Sequence, residues 1–275
     1  MKLFQELIEK AFLEDCIDED ITTIASIPEE LEAVGKLIVK SSGVIAGLKF
    51  IPQIFHARDP KVLAELHASD GDFCEKGACL GTFVGPARVL LSVERTALNL
   101  LQHLSGIATL TALCVEKTRG THCKIFDTRK TLPGYRELQK YAVRIGGGTN
   151  HRKHLADQIL IKNNHLFLVP LPESIRRTKE CFPNQKIEIE VESMEDLTIA
   201  LDLGVDAVLL DNMSVEKVRE CVEFTKGRAF LEASGGIRLE TIEEYAKTGV
   251  DGISIGALTH SARALDIAFR IRPKL

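Results

Sequence analysis

The sequence contains no Cys-x-x-Cys pair. Its seven cysteines, Cys16, Cys74, Cys79, Cys114, Cys123, Cys181 and Cys221, are odd in number and scattered. That pattern argues against a disulfide framework and a thiolate metal site, and leaves reduced structural thiols. Neither sign of charge dominates: 35 Lys and Arg stand against 39 Asp and Glu, a net −4, so the basic surface that a nucleic acid needs is missing. No low-complexity tract interrupts a chain that is 45% hydrophobic and 27% charged, which excludes disorder as the main state. No apolar run approaches the roughly 20 residues of a membrane span. Residues Met1 to Lys10 lack the basic start and apolar block of a signal peptide and read as an amphipathic helix. The expectation is a cytoplasmic protein without nucleic-acid or membrane partners. A Gly-x-Ser-x-Gly elbow is also absent, and no Ser-His-Asp or Cys-His arrangement suggests a nucleophile.

What is present is 275 residues, enough for one large domain or two modest ones. From about residue 120 the chain repeats one unit: a short apolar run, a polar or glycine-bearing turn, then a segment of helical periodicity. The runs are Lys124 to Phe126, Gln158 to Ile161, Ile187 to Val191, Asp206 to Leu210, Ala229 to Glu232 and Gly252 to Ile255. Ser193 and Ser214 stand where N-caps belong, and Gly204, Gly227 and Gly249 where helices stop. This is βαβ architecture with a parallel sheet. Nearly every run leads into polar residues, as a barrel with its site at the C-terminal strand ends requires. The expectation is a six-stranded α/β barrel over residues 105–261. Residues 1–104 read differently, as an α+β domain with alternating runs at Gly35 to Val39, Val62 to Leu66 and Leu80 to Val84. A long helix opening at Ser92 joins the halves. Arg95 lies about 200° around it from Val93, off the apolar stripe, so it is solvated or points beyond its own core.

The strand ends gather Arg129, Lys130, His151, Arg152, Lys153, His154 and Lys162 against Glu190, Glu192 and Asp211. Convergent guanidinium and ammonium groups call for a polyanionic substrate. His151, His154 and Asp157 have metal-ligand spacing on a helix, but Arg152 and Lys153 would repel a dication, so His151 is read as a hydrogen-bond donor to substrate and His154 as structural. Gly146-Gly147-Gly148 follows a helical segment and reads as a flexible loop. Ser234-Gly235-Gly236 follows a strand and precedes a helix expected near Leu239; with Ile255, Gly256 and Ala257 after the next strand it suggests a phosphate site. Lys130 and Lys162 are the residues available for a Schiff base.

Read together, these motifs resemble the quinolinate phosphoribosyltransferase family along nearly the whole chain. The resemblance runs through Glu19-Asp20-Ile21-Thr22-Thr23, Glu94-Arg95-Thr96-Ala97-Leu98-Asn99, Asp127-Thr128-Arg129-Lys130-Thr131, Asn150-His151-Arg152, Leu160-Ile161-Lys162, Glu188 to Glu192, Leu210-Asp211-Asn212, Ala233-Ser234-Gly235-Gly236 and Gly256 to His260. It implies transfer of the phosphoribosyl group of phosphoribosyl pyrophosphate to quinolinate, with loss of pyrophosphate and CO2, giving nicotinate mononucleotide for NAD synthesis. It also implies an N-terminal open α/β sandwich domain, joined by residues 262–275, ahead of the incomplete six-stranded α/β barrel. By resemblance, Arg129, His151, Arg152 and Lys162 hold the quinolinate carboxylates, with Thr128 beside them and Lys130 near the pyrophosphate. Ser234, Gly235, Gly236, Ile255, Gly256 and Ala257 take the sugar phosphate. Glu190 and Asp211 face the ribose and a Mg2+ carried with phosphoribosyl pyrophosphate. The family resemblance further implies a homodimer in which Arg95 enters the neighbouring site. Two departures are visible: Asn163 where the family usually has Asp, and Lys153-His154 where Gly is more frequent. Alternatives are a paralogue acting on another acceptor, as in molybdenum-transport-associated relatives, a Schiff-base barrel lyase, and a silent nucleotide sensor.

Overall fold

Glu32–Val39 alternates along its length so that Ala33, Leu37 and Val39 turn inward, the period-two pattern of a sheet with one buried face. In the computed structural model, which describes residues 2–274, this stretch is strand β1. Met1 and Leu275, which close the expected first domain, lie outside the described residues. The chain divides into two compact units. The first carries helices α1 (Lys2–Glu14), α2 (Ile21–Ser26), α3 (Ile51–Arg58) and α4 (Ala87–Glu116) as far as Leu110, with strands β2 (Gly43–Val44), β3 (Leu63–Leu66), β4 (Phe73–Cys74) and β5 (Cys79–Pro86). β1 pairs antiparallel with β5 on one side and with the C-terminal strand Ile267–Pro273 on the other. The core of this unit stacks Phe55, Phe83 and Phe269 at centroid separations of 4.7 to 5.9 Å.

α4 begins at Ala87, ahead of the expected Ser92, because its apolar stripe already starts at Leu90 and continues through Val93, Ala97, Leu101, Leu104 and Ala108, all buried. By length and composition α4 is apolar enough to cross a membrane; the buried stripe accounts for that composition as a core helix. Arg95 is exposed on this helix. Helix α5 (Arg136–Ile145) also groups with the first unit, although the sequence places it in the barrel half. Its Tyr141 hydroxyl donates to Asp70, and Gln139 Nε2 lies 2.9 Å from His103 Nε2. The second unit is accordingly shorter than residues 105–261: it comprises Thr111–Leu132 and Gly147–Ser261.

That second unit holds β6 (Lys124–Phe126), β7 (Ile159–Ile161), β8 (Ile187–Val191), β9 (Ala207–Asp211), β10 (Phe230–Ser234) and β11 (Gly252–Ser254), with α6 (Asn163–Leu166), α7 (Leu171–Cys181), α8 (Met194–Asp202), α9 (Val215–Thr225), α10 (Ile242–Ala246) and α11 (Ala257–His260). All six strands are parallel, in the order β6-β11-β10-β9-β8-β7. The strand that comes first in the chain therefore bonds the last. A doubly wound sheet reverses its order in the middle; here the order runs on around, and β6 makes one further parallel bridge, from Phe126 to Thr149 in the segment before β7. The result is an incomplete α/β barrel. β8 is buried along its whole length, as a strand with both faces covered must be. Ser193 and Ser214 cap α8 and α9 as expected, accepting from the backbone N–H groups of Asp196 and Lys217. The three buried thiols, Cys114, Cys123 and Cys221, are pushed up by burial to about 12, 12 and 11, which keeps them protonated and inert.

Candidate active site

The C-terminal strand ends of the barrel enclose a cavity of about 560 Å³. Its lining brings together Thr128, Arg129 and Lys130 after β6, His151 and Arg152 before β7, Lys162 after β7, Glu190 on β8, Asp211 on β9, and Ser234, Gly235 and Gly236 at the end of β10. Ile255, Gly256 and Ala257 are not in the lining, and the cavity meets β11 through Ser254 instead. Gly256 still stands beside a lining residue, since a Cβ there would lie 2.9 Å from Lys130 Cδ. Arg95 belongs to the other unit.

The cationic wall is built on a pinned loop. The Lys130 N–H donates to Thr128 Oγ1 at 3.0 Å, and Thr259 of α11 donates its hydroxyl to the Lys130 carbonyl at 2.7 Å. Arg129 Nε is buried without a hydrogen-bond partner. Arg152 is held by its Nη1 donating to the Gln158 carbonyl, and burial together with the Arg129 charge lowers its pKa. Two guanidinium groups that destabilise each other, one with an orphaned donor, suit a multivalent anion.

The acidic side follows from strand periodicity. On β8, Glu188 and Glu190 share one face, and Glu192 continues it beyond the strand. Glu190 Oε2 accepts from Lys162 Nζ at 3.0 Å. Lys162 sits at the start of α6, its N–H donating to His165 Nδ1. Asn163 Nδ2 donates to Glu192, so the amide meets a carboxylate. Burial, then the Glu190 charge, raises the Asp211 carboxyl above its ordinary range. Crowded carboxylate oxygens of this kind fit a hard divalent cation, which would relieve their repulsion.

The turn after β10 is a close approach of two backbones. Asn212 has φ 54°, Gly235 φ 90° and Gly236 φ 63°, and the Asn212 N–H donates to the Ser234 carbonyl at 2.8 Å. The following helix, α10, starts at Ile242 rather than near Leu239, because residues 238–241 form a turn in which Thr241 Oγ1 accepts from the Arg238 N–H. Both α10 and α11 are too short to supply a substantial dipole, so anion binding here rests on the exposed amides of the glycine turn.

Under the cations lies a buried polar layer that sequence reading left out. Asp127, Glu188 and Glu232 come from or just after alternate strands β6, β8 and β10, as the side chains of one barrel layer do. Asp127 accepts from Asn150 Nδ2 at 2.5 Å and from the His151 N–H at 2.8 Å. His151 Nδ1 accepts from the Arg152 N–H at 2.8 Å, so Nε2 carries the proton and points at Glu188 Oε2, 3.1 Å away. The ligand atoms of His151, Glu188 and Glu232 lie close enough together to hold a metal ion, but a proton on Nε2 makes this a hydrogen-bonded cluster. Both ring nitrogens of His151 are engaged by protein, so donation to substrate requires Nε2 to leave Glu188. His154 is turned to solvent, paired with Asp157 at 2.7 Å. Glu232, with Leu160, Leu209, Asn212 and Ser254, also lines the cavity. A signal for it existed: on β10, Glu232 shares the face of Ser234, two residues on.

Family models match almost the entire chain: the N-terminal domain of quinolinate phosphoribosyl transferase over residues 20–105 and the C-terminal domain over residues 107–270. The carboxylating nicotinate-nucleotide pyrophosphorylase of Mycobacterium leprae is 43% identical over 272 residues, covering 96% of this chain and 95% of that protein. A probable enzyme of the same description from Bacillus subtilis is 41% identical over 269 residues, covering 97% and 93%. Among solved structures, the nicotinate-nucleotide pyrophosphorylase of Ehrlichia chaffeensis superposes with a TM-score of 0.94 at 37% identity, covering 98% of each chain. The matches lend no support to the lyase or alternative-acceptor readings.

Proposed function

Because the chain belongs to the quinolinate phosphoribosyl transferase family, we propose how its cavity divides the two substrates of that reaction. The protein is an enzyme of NAD biosynthesis: it joins the phosphoribosyl group of phosphoribosyl pyrophosphate to the ring nitrogen of quinolinate, releasing pyrophosphate and CO2. The observation that supports the division is the split lining of one barrel mouth, Arg129, Lys130 and Arg152 on one wall and Glu190 and Asp211 on the other, with the Gly235–Gly236 turn between strand ends.

Arg129 and Arg152 bind the two quinolinate carboxylates, the unpartnered Arg129 Nε supplying one donor. Lys162 joins them by exchanging Glu190 for a substrate carboxylate, and Lys130, flexible and exposed, faces the pyrophosphate. The amides of Ser234 to Gly236 hold the sugar 5′-phosphate. Ribose hydroxyls face Glu190 and Asp211, whose negative charge also stabilises the oxocarbenium-like carbon that develops as pyrophosphate departs. The same two carboxylates would hold Mg2+, which when bound offsets the charge of the leaving pyrophosphate. The chain works as a cytoplasmic homodimer in which the partner subunit's Arg95 completes the cationic wall.

The test is turnover with phosphoribosyl pyrophosphate and Mg2+, offering quinolinate and nicotinate in parallel. Nicotinate mononucleotide and CO2 from quinolinate, with none from nicotinate, is the expected result. Reaction with nicotinate instead, or with neither acid, overturns the acceptor assignment.

A further inference from the structure

We propose that Glu232 is the acid that protonates the ring carbon from which CO2 has left. The inference rests on the quinolinate reading above and adds a step to it. When the carboxylate beside the ribosylated nitrogen departs, the carbon–carbon bond breaks with its electron pair left on the ring carbon, next to the pyridinium. That carbon needs one proton to become product. The Glu232 O–H bond breaks in the same step as the carbon–carbon bond, so CO2 release waits on the proton; the proton moves to the carbon, and the carboxylate left behind is reprotonated by water after the product leaves, so atoms and charge balance.

Three observations carry the assignment. Glu232 lines the cavity, yet the residue is only 2% exposed, so its carboxyl meets the substrate space and little else. Its Oε1 is buried without a hydrogen-bond partner, while the nearby Ser254 hydroxyl favours the ionised form. An ionised carboxylate with an orphaned oxygen is costly to bury, whereas a protonated one has an O–H free to point at what enters the cavity. Third, the neighbours favour the neutral acid. Glu188 on β8 and Asp127 after β6 are like charges and Cys123 is apolar in effect; His151, which acts against them, has its Nε2 nitrogen 3.1 Å from Glu188 but 3.8 Å from Glu232. Burial, then Glu188, pushes Glu232 up to about 7, so much of it carries a proton at neutral pH, and a carbanion is basic enough to take it.

Of the other groups that line the cavity, Lys130 is assigned to the pyrophosphate, and three more are engaged or set apart in the free protein. His151 gives its proton to Glu188 and accepts from the Arg152 N–H. Lys162 is paired with Glu190, and Asp211 lies on the carboxylate wall.

The experiment compares wild type with Glu232→Gln, measuring pyrophosphate and CO2 separately in single turnovers. Gln keeps the shape and a hydrogen-bond donor but cannot transfer a proton. The expected result is pyrophosphate release within about threefold of wild type, CO2 release slowed by about a hundredfold, and accumulation of the ribosylated dicarboxylate. In wild type, CO2 release alone should fall as pH rises through about 7. Removing the Ser254 hydroxyl, which favours the ionised form, should move that fall to higher pH in Ser254→Ala. Equal slowing of both products in Glu232→Gln, a one-to-one yield at the wild-type rate, or a pH profile that Ser254→Ala leaves in place would each overturn the assignment. Failure of wild type to consume quinolinate would instead overturn the reading beneath it.

Discussion

Gly235 and Asn212 approach so closely that a methyl group on Gly235 would lie 2.2 Å from Asn212 Oδ1 and 2.8 Å from its backbone nitrogen. The contact joins the ends of two neighbouring strands, β9 and β10, and fixes the turn whose amides line the cavity. With φ at 90° and both the side chain and the backbone nitrogen of Asn212 in the way, no relaxed alanine fits. Gly235→Ala should lower stability by about 1–3 kcal/mol and raise KM for phosphoribosyl pyrophosphate by about tenfold or more, leaving the quinolinate Kd nearly unchanged. Gly236→Ala is the control: φ is 63° but a Cβ would meet nothing within 4 Å, so only about 1–2 kcal/mol of backbone strain is expected. Thermal melts and substrate titrations on both variants check the contrast.

Glu232 also makes stability depend on pH. Its carboxyl is raised from 4.5 to about 7 in the folded protein. Below about pH 4.5 both folded and unfolded states hold the proton and nothing is lost. As pH rises from 4.5 toward 7, the unfolded chain releases the proton while the folded one keeps it, so this group progressively favours unfolding. Above about 7 the penalty is constant, roughly 3 kcal/mol. Urea denaturation should show Glu232→Gln gaining on wild type across that window and holding the gain above it. A pH-independent difference between the two would contradict the raised value.

Asn163 and Glu192 form a hydrogen-bonded pair at the barrel mouth whose worth can be measured. The amide donates to the carboxylate, so Asn163→Asp replaces a hydrogen bond with two like charges. Glu192 is exposed, and screening keeps the cost below about 1 kcal/mol. In a Glu192→Gln background, Asn163→Asp should become nearly neutral, a coupling of about 0.5 kcal/mol that added salt diminishes.

The strands of the barrel were legible because buried parallel strands leave short apolar runs that end in polar residues, as Ile187 to Val191 does. Ser193 and Ser214 announced their helices by their own chemistry. Glu232 was missed because the run Ala229 to Glu232 ends on it in the sequence, whereas the strand continues to Ser234 and the period-two relation to Ser234 marks Glu232 as cavity-facing. The role of His151 was not legible either: which nitrogen holds its proton is decided by the Arg152 N–H, a backbone group that no residue type encodes. The placement of α5 depended on Tyr141 meeting Asp70, a contact across 71 residues of chain.

The dimer reading makes a complementation test possible. Arg95 is exposed on α4, and Lys162 lines the cavity of its own barrel. Each of Arg95→Ala and Lys162→Ala should reduce kcat/KM by about a hundredfold, with little loss of stability, since one residue is solvated and the other is half of a partly exposed pair. If the partner subunit's Arg95 serves each site, mixing the two inactive variants and letting subunits exchange creates hybrid dimers. In each hybrid, one site has an intact Lys162 barrel and an intact arginine from across the interface. Random exchange then restores about a quarter of the sites. A mixture that stays inactive after exchange, verified by mass-tagged subunits, would mean that each chain supplies its own arginine or that no dimer forms. Recovery near a quarter has no explanation in a self-contained site, because neither variant alone carries both groups.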